Sequence, residues 1–311
     1  MEKQKIILDC DPGHDDATAI MMAAKNPNID LLGISVVAGN QVIERTAINA
    51  MNVCQYLGLD IPVYQGCGQP MIRQRPIIAA DIHGKTGLDG PNFKPLKRKI
   101  EKKHAVNFII DTLMAGESDI SVVTTGPMTN LAMAMRMEPK IIPKIKQVVF
   151  MGGSYGNGNV TPAAEFNIIA DADAAYVVFT SGRPLVMVGL DVTRQALCFP
   201  SIVERMSKNN NPAGKLFTDL MTFFCKTQKE VFGWEGGPLH DPITIAYLID
   251  PTVLKTKFVN AEVDIRSVKS YGRTNCDMFD YNHWTKNCNV AYEIDVEKFW
   301  NIVENCIKRY S

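Results

Sequence analysis

Apolar segments and segments of helical periodicity alternate along most of the chain. The apolar segments lack strict alternation with polar residues, which is typical of strands buried on both faces of a sheet; they are KIILDC, DLLGISVVAG, ISVVTT, QVVFMGG and PLVMVGLD. The segments between them show helical periodicity, as in DDATAIMMAAKN, and AVNFIIDTLMAG ends on a glycine stop. The pattern predicts an α/β fold with an open, mostly parallel sheet flanked by helices.

The C-terminal third has longer helical segments and more polar connections. AGKLFTDLMTFFCKTQKEVF predicts a long helix, and HDPITIAYLID predicts a helix with Asp241 as its cap and a proline in its first turn. VNAEVDIRSV and NVAYEIDV predict strands, YGRTNCDMFDYNHWTKN a polar loop, and VEKFWNIVENCIKRY a closing helix. The sequence contains no internal repeat and no linker-like segment, so we expect one domain over residues 1–311.

Composition narrows the class of protein. Hydrophobic residues make up 46% of the 311 residues, which is enough to bury a large core. The 33 basic residues balance the 33 acidic ones, which argues against a general nucleic-acid binder, since such proteins need an excess of cations. The eight cysteines include no C-x-x-C pair, which favours reduced thiols over disulfides or a zinc site.

The sequence also bears on location. Its longest apolar runs fall short of the ~20 residues that a membrane helix needs. The opening MEKQKIILD turns acidic before an apolar stretch long enough for a cleavable signal. We therefore expect a soluble, cytoplasmic protein without a membrane or nucleic-acid partner.

Polar and glycine-rich residues follow several predicted strands. Asp11 follows the first strand, Asn40 the second, Thr125 the strand ISVV, and Met151 with two glycines the strand QVVF. In open α/β sheets, ligands bind beyond the carboxyl ends of the strands. We therefore expect the functional site at this edge of the sheet.

Four aspartates lie within the stretch DCDPGHDD, at positions 9, 11, 15 and 16. An aspartate at a helix start can simply cap free N–H groups, and this reading suits Asp15 or Asp16 taken singly. Capping one helix start needs only one acid, so the presence of four aspartates together favours a bound cation. Carboxylates without nearby thiolates or paired imidazoles suit calcium or magnesium better than zinc, and the spacing is not that of an EF-hand.

Two later segments carry weaker signals. HDP, at residues 240–242, is most often a helix cap when it stands alone. The segment EFN, residues 165–167, places an acid and an amide on one side of a chain predicted to be extended. Neither segment indicates a function by itself.

Taken together and in this order, the motifs closely resemble those of one enzyme family. They are DCDPGHDDATAI, VAGN, TTGPMTN, VVFMGGSYGNGN, AEFNI, GLDVT and HDP. The chain resembles the nucleoside hydrolases, calcium-dependent N-ribohydrolases that cleave nucleosides to ribose and base, and the likeness runs from the first strand to the final helix. It implies a Rossmann-like sheet, a nucleoside substrate, a Ca²⁺ cofactor and a homo-oligomer, expected to be a tetramer.

The resemblance assigns roles at the cation and the sugar. Asp15 would be the general base on a metal-held water. The implied metal ligands are the carboxylates of Asp11, Asp16 and Asp241 and the backbone carbonyl of Thr125. The implied sugar contacts are Asn40 and Asn167 at the 2′- and 3′-hydroxyls, Asn159 and Glu165 at the 5′-hydroxyl, and Met151 beside the ring. Glu165 at that position would repel the phosphate of a nucleotide.

The resemblance is less uniform at the base. His240 would be a candidate acid or orienting group, and His83 and Gln228 resemble residues of the pyrimidine-preferring branch. Phe232 stands where those members usually have tyrosine, which puts a Tyr–His relay in doubt. For Phe232 and Trp234, ordinary packing is an alternative to stacking on the base, and for His83 a water-facing loop position is an alternative. Residues 72–90 and 226–240 are plausible lids.

We therefore expect hydrolysis of ribonucleosides with a preference for uridine and cytidine, through an oxocarbenium-like transition state. A nonspecific or purine-preferring nucleoside hydrolase is the nearest alternative. A nucleoside-binding protein without catalysis is an alternative from another class, because a fold does not fix a function. A phosphotransferase of the haloacid-dehalogenase kind also begins with strand-D-x-D, but PGHDD follows here instead of the usual GT or GV.

Overall fold

The structure, a computed structural model, describes residues 3–310. Its strands are β1 Gln4–Cys10, β2 Ile29–Val36, β3 Val63–Gln65, β4 Ile120–Thr124, β5 Ile145–Met151, β6 Leu185–Val188, β7 Leu197–Cys198, β8 Gly237–Pro238, β9 Leu254–Val259, β10 Ala261–Val263, β11 Thr274–Cys276 and β12 Cys288–Ile294.

Helices connect most of these strands. They are α1 His14–Ala24, α2 Ile43–Tyr56, α3 Ala80–His83, α4 Ala105–Ala115, α5 Thr129–Met137, α6 Phe166–Ala170, α7 Ala172–Phe179, α8 Leu190–Thr193, α9 Pro200–Ser207, α10 Pro212–Phe232, α11 Pro242–Ile249 and α12 Val296–Ile307. Two 3₁₀ turns, Pro139–Lys144 and Pro251–Val253, complete them.

Eight strands form the central sheet in the order β3-β2-β1-β4-β5-β6-β12-β9. Neighbouring strands are parallel except β9, which runs antiparallel to β12 at the edge. The chain moves outward from β1 to β3 on one side and from β4 to β6 on the other. The loops after β1 and β4 therefore diverge and leave a crevice at the carboxyl ends of these strands. The predicted fold class is confirmed.

The core lies on both faces of the sheet, as the continuous apolar strands require. One face packs against α1, α2, α10, α11 and α12, and buries Trp300 and Phe224. The other packs against α4, α5 and α7, and buries Phe150. Burial on both sides fixes the strand ends, which gives the crevice a rigid floor.

Several boundaries differ from the sequence-based predictions. Residues 165–167 were expected to be extended, but α6 begins at Phe166 because the Glu165 carboxylate accepts hydrogen bonds from the backbone N–H groups of Asn167 and Ile168. The predicted strand over residues 259–268 is replaced by β9 and β10, and the predicted polar loop over residues 271–287 contains β11. About half of the predicted lid 226–240 is the last part of α10, which ends at Phe232 and is capped by Gly233 in the left-handed conformation.

Two further expectations can be compared with the described residues. All eight cysteines are free thiols, as predicted. Within residues 3–310, no helix combines the length and hydropathy that crossing a bilayer requires.

Candidate active site

A cavity of about 510 Å³ opens at the carboxyl ends of the central strands. All of the site residues predicted from the sequence line it, except Asp11 and Asp16, which lie at greater depth; the lining members are Asp15, Asn40, His83, Thr125, Met151, Asn159, Glu165, Asn167, Gln228, Phe232, His240 and Asp241. A larger cleft of about 820 Å³ between α2 and α10 contains none of these residues. The smaller cavity is therefore the candidate active site.

Three carboxylates from distant parts of the chain meet at the floor of this cavity. Asp15 and Asp16 lie in the first turn of α1, and Asp241 precedes α11. One oxygen of each lies within 4.8 Å of the others, and all three residues are buried. Like charges at this distance repel one another, so the cluster is poised to accept a cation.

Burial raises the pKa of each carboxyl, and repulsion by neighbouring charges adds to this at Asp11, Asp15 and Asp241. Burial and the charge of Asp16 raise the pKa of Asp15 to about 7. For Asp241, burial and then the charges of Asp15 and Asp16 raise the pKa well above its usual value. The pKa of Asp11 is likewise raised well above its usual value by burial and by Asp16. Carboxyls in this state bind a divalent cation in exchange for protons.

Two buried oxygens fit such a cation. Asp11 Oδ1 and Asp15 Oδ1 have no hydrogen-bond partner among the described residues. Unpaired carboxylate oxygens are costly to bury, and oxygen-only ligands are what calcium and magnesium prefer. The donor set therefore fits a hard divalent cation.

The structure corrects the expectation that the Asp241 side chain caps the following helix. Asp241 does occupy the position before α11, with Pro242 in the first turn, but its side chain makes no capping hydrogen bond. Its carboxylate lies with the α1 aspartates instead. Asp16 does contribute to a helix start, since its Oδ2 accepts a 3.0 Å hydrogen bond from the Gly13 N–H.

Close backbone approach holds Asp11 in place. Asn40 donates a 2.6 Å backbone hydrogen bond to Asp11 Oδ2. A Cβ at Gly39 would overlap the same oxygen, and a Cβ at Gly126 would lie 2.5 Å from Oδ1. Glycine is therefore required at both positions for the loops after β2 and β4 to reach Asp11.

Thr125, which follows β4, contacts both the acids and the sugar-side residues. Its hydroxyl donates a 2.7 Å hydrogen bond to Asp16 Oδ1. Its backbone carbonyl, the atom expected to bind metal, accepts a 2.8 Å hydrogen bond from the Asn167 carboxamide. A carbonyl oxygen has two lone pairs, so this contact leaves one free.

The residues expected to bind the 5′ side of the sugar form one small network. Glu165 accepts hydrogen bonds of 2.9 Å from the N–H groups of Gly153 and Asn167, and burial raises its pKa to about 7. Asn159 is exposed, and its side-chain oxygen accepts a 2.9 Å hydrogen bond from the Phe166 N–H. Its amide nitrogen makes no contact among the described residues.

The opposite end of the cavity is more apolar. The alternative of a water-facing His83 is wrong, because the ring is only 6% exposed and ends α3. Gln228 Oε1 is buried without a partner in the described part of the chain. Phe232 is 47% exposed and packs beside Trp234, with ring centroids 5.4 Å apart. Burial lowers the pKa of His240 to about 3, so its ring is neutral.

Sequence reasoning missed three residues here. His14 lies between the predicted aspartates and contacts His83. Thr193, within the motif GLDVT, lies 2.7 Å from His240 Nδ1. Arg194 lines the cavity and donates to the carbonyls of Asn157 and Gly158. His14 and Thr193 lie inside motifs that the sequence analysis had already identified, so their position in those motifs could have marked them as site residues.

Comparisons with known proteins agree with this geometry. The family model described as "Inosine-uridine preferring nucleoside hydrolase" matches residues 6–301. The pyrimidine-specific ribonucleoside hydrolase RihB of Escherichia coli strain K12 is 57% identical over 310 residues, covering 100% of this chain and 99% of the relative. The RihB protein of Escherichia fergusonii matches equally well.

Solved structures give the same result. A purine-preferring ribonucleoside hydrolase from Gardnerella vaginalis superposes with a TM-score of 0.91 at 35% identity, covering 98% of this chain and 99% of that one. A plant nucleoside hydrolase, PpNRh1, superposes with a TM-score of 0.90 at 29% identity, with the same coverage of both chains. The chain therefore belongs to the inosine-uridine preferring nucleoside hydrolase family and is an N-glycosyl hydrolase.

Proposed function

We propose that this chain cleaves the N-glycosidic bond of ribonucleosides to ribose and free base, with a preference for uridine and cytidine. The observation that carries the proposal is the buried group Asp15, Asp16 and Asp241 at the floor of a cavity lined with carboxamides and histidines. The RihB relatives are described as pyrimidine-specific, which supports the preference. The Gardnerella vaginalis protein is described as purine-preferring, so experiment must decide the base.

We propose Ca²⁺ as the cofactor, held by the carboxylates of Asp11, Asp16 and Asp241 and by the Thr125 carbonyl. The unpaired buried Oδ1 atom of Asp11, together with that of the neighbouring Asp15, supports a hard cation. When bound, the cation supplies positive charge that offsets the carboxylate repulsion and lowers the pKa of water.

Asp15 would act as the general base. Its raised pKa, about 7, is close to the working pH, at which proton transfer to a base is most effective. Asp15 would take the proton of the water that attacks C1′. As the bond to the base breaks, the sugar develops oxocarbenium character, and the surrounding carboxylates would stabilise that positive charge.

The sugar would be held by carboxamides and one acid. Asn40 and Asn167 would bind the 2′- and 3′-hydroxyls, with Met151 beside the ring. Asn159 and Glu165 would bind the 5′-hydroxyl. At the base, His240 would orient the leaving group, and His83, Gln228 and Phe232 would form the pocket wall.

The same arrangement disfavours nucleotides. Above neutral pH, where the Glu165 carboxyl is ionised, it would repel a phosphate at the 5′ position. Arg194 is nearby, but both terminal nitrogens of its guanidinium already donate hydrogen bonds to the carbonyls of Asn157 and Gly158. We therefore expect uridine to be cleaved and uridine 5′-monophosphate to be left intact.

The family resemblance also supports proposals about domain count, oligomeric state and location. We propose a single domain over residues 1–311, a homotetramer and a cytoplasmic location. Free cysteines throughout the chain are compatible with a reducing compartment. Light scattering of the purified protein tests the oligomeric state, and fractionation of the source cells tests the location.

The deciding experiment is release of reducing sugar from uridine, cytidine, inosine and adenosine, with calcium and with a chelator. We expect the two pyrimidine nucleosides to give the highest kcat/KM and the chelator to abolish turnover. Faster cleavage of inosine would replace the pyrimidine preference with a purine preference. Unchanged uridine after prolonged incubation with concentrated protein would favour the binding-protein alternative.

Calcium binding is tested separately by titration calorimetry on Asp241→Ala. We expect the affinity to fall by at least about tenfold, because even the disturbance of a ligand's supporting partner costs that much. Asp250→Ala, at the opposite end of α11, is the matched control and should keep wild-type affinity. Equal affinities in the two variants would remove Asp241 from the ligand set.

A further inference from the structure

Two cysteines, Cys198 and Cys225, meet where α10 packs against the small sheet of β7 and β8. Cys198 lies in β7, and Cys225 lies in the C-terminal half of α10. The Cys225 thiol donates a 3.2 Å hydrogen bond to the backbone carbonyl of Cys198. The two thiols are also hydrogen-bonded to each other. Both are reduced, so the pair is a dithiol without a covalent link.

A glycine lets the small sheet lie this close to the helix. Gly237 in β8 pairs with Cys198 across the sheet. A Cβ at Gly237 would lie 2.8 Å from the Phe224 ring and 3.3 Å from Gln228 Cγ. Because that side chain is absent, β8 contacts the face of α10 that carries Phe224 and Gln228, and β7 is held beside Cys225.

The two thiols are chemically unequal. The hydrogen bond with Cys198, aided by the backbone N–H of Gly237, outweighs burial and lowers the pKa of Cys225 to about 7. The same hydrogen bond, with burial, raises the pKa of Cys198 well above its usual value. Cys225 is half-buried, whereas Cys198 is fully buried. A partly exposed cysteine of this kind reacts first with an oxidant, and a neighbouring thiol resolves the product.

We propose that Cys198 and Cys225 form a reversible disulfide when the protein meets hydrogen peroxide, and that this bond weakens binding at the base end of the cavity. In reducing compartments, disulfides that form are usually transient and redox-sensing. The effect on the cavity rests on the proposed function for the identity of the ligand, a nucleoside base. Formation of the bond does not.

The reaction takes place in two steps. The Cys225 thiolate attacks one peroxide oxygen, the O–O bond breaks, and hydroxide leaves and takes up the proton that Cys225 released, which gives a sulfenic acid. The Cys198 sulfur then attacks the Cys225 sulfur, and the departing hydroxyl leaves as water with the Cys198 proton. Two thiols and one peroxide thus give one disulfide and two waters, and both sulfurs are oxidised. Two molecules of a small thiol reverse the reaction by exchange.

The bond would move two walls of the cavity. A disulfide holds its sulfur atoms at about 2.05 Å, closer than two non-bonded sulfur atoms can approach, so α10 and β7 must shift towards each other. On α10, Phe224 packs on the His83 ring with centroids 5.7 Å apart, and Gln228 lines the cavity. On the side of the small sheet, Pro238 lines it as well. The acids of α1 lie outside these elements, so binding of the base should suffer more than the chemical step.

The bond is tested by mass spectrometry on the full chain, without any substrate. Hydrogen peroxide is added in increasing amounts until the first cysteine of the folded protein has reacted, and the remaining thiols are then alkylated in denaturant. We expect the first product to be the peptide pair linked through Cys198 and Cys225, and dithiothreitol to release it. A first product at another cysteine, or an unlinked oxidised Cys225, would overturn the proposal.

The effect on the cavity is tested by kinetics with uridine before and after this treatment. We expect oxidation to raise KM by about tenfold, because a displacement of about 1 Å in a positioning wall can cost up to about 10²-fold. The reductant should restore the starting value. An unchanged KM in the linked protein would show that the bond does not reach the cavity.

Two variants separate this bond from other oxidation. Cys225→Ser keeps a hydroxyl that can donate to the Cys198 carbonyl, but it cannot form the bond, so peroxide should leave its KM unchanged. Cys276→Ser, at another half-buried cysteine, is the matched control and should respond to peroxide as the wild type does. A rise in KM in peroxide-treated Cys225→Ser equal to that of the wild type would contradict the proposal. A reduced wild type inactive on every nucleoside would refute the proposed function, whereas the linked peptide would still report the disulfide.

Discussion

The carboxamide of Asn167 donates a 2.8 Å hydrogen bond to the backbone carbonyl of Thr125 and a 3.1 Å hydrogen bond to that of Met151. Both amide protons of Asn167 are therefore used within the protein. Its Oδ1 has no partner in the described part of the chain, so it is the atom left for a ligand. An unpaired carboxamide oxygen suits the role proposed for Asn167, which is to accept a hydrogen bond from a sugar hydroxyl, and the same contacts tie α6 to the ends of β4 and β5.

Asp15→Asn should remove catalysis and keep the fold. The substitution preserves shape and removes the proton acceptor, so we expect kcat for uridine to fall by roughly 10²–10⁴-fold, the range for loss of a general base. Steady-state kinetics with calcium measure this. Asp30→Asn, at an exposed position in β2, is the control and should match the wild type. A kcat within a few-fold of wild type would show that another group takes the proton.

Gly39→Ala should weaken calcium binding without adding backbone strain. The added Cβ overlaps Asp11 Oδ2, so Asp11 must move from its present contacts. Gly58→Ala is the matched control: its φ is +63° with open space around it, so it should lower stability and leave calcium affinity unchanged. Calorimetric titration and thermal unfolding separate the two effects. Wild-type affinity in Gly39→Ala would mean that Asp11 is not a ligand.

Glu165→Gln should change how stability depends on pH. Burial raises the pKa of Glu165 from its usual 4.5 to about 7 in the folded chain. Because the folded value is above the unfolded one, this group's contribution is fully present below pH 4.5 and is lost as pH rises through 7. As pH rises from 4.5 to above 7, the unfolding free energy of the wild type should therefore fall relative to that of the variant, by a few kcal/mol at most.

Urea unfolding in chelator at pH 4.5 and pH 7.5 measures that difference. The buried histidines and the aspartate cluster also contribute to the pH dependence of the unfolding free energy, and the lowered pKa values of the histidines act in the opposite direction. Because wild type and variant share these groups, their contributions cancel in the difference. A difference that stays constant with pH would show that Glu165 is ionised throughout the window.

Phe232→Ala should raise KM for uridine more than it lowers kcat. The ring lines the cavity but is 47% exposed, so its truncation removes part of an apolar wall and no polar group. We expect a KM increase of less than about tenfold, the value of a modest apolar contact. Val231→Ala, similarly exposed but not part of the cavity lining, is the control. An unchanged KM would assign Phe232 to packing with Trp234 alone.

The sequence was sufficient for the sheet and for the cavity lining. Runs such as KIILDC and ISVVTT are apolar on both faces, which only a covered parallel strand explains, and the structure has β1 and β4 there. Short strands such as β7 and β8 were not predictable, because two residues show no periodicity and the pairing comes from packing around them.

Side-chain pairing was the less predictable part of the site. HDP predicted a cap at Asp241, because a local pattern cannot reveal that a helix from the other end of the chain offers two like charges nearby. The contact of His14 with His83 depends on α3, a four-residue helix whose sequence has no distinctive signal. Local rules fail where distant segments compete for the same side chain.

The acids of α1 and the acid before α11 lie far apart in the sequence. During translation, Asp15 and Asp16 leave the ribosome long before Asp241 does. A chain that ends before position 241 therefore lacks one of the three carboxylates of the cluster. The proposed cation site therefore becomes complete only after the segment that carries Asp241 has been synthesised.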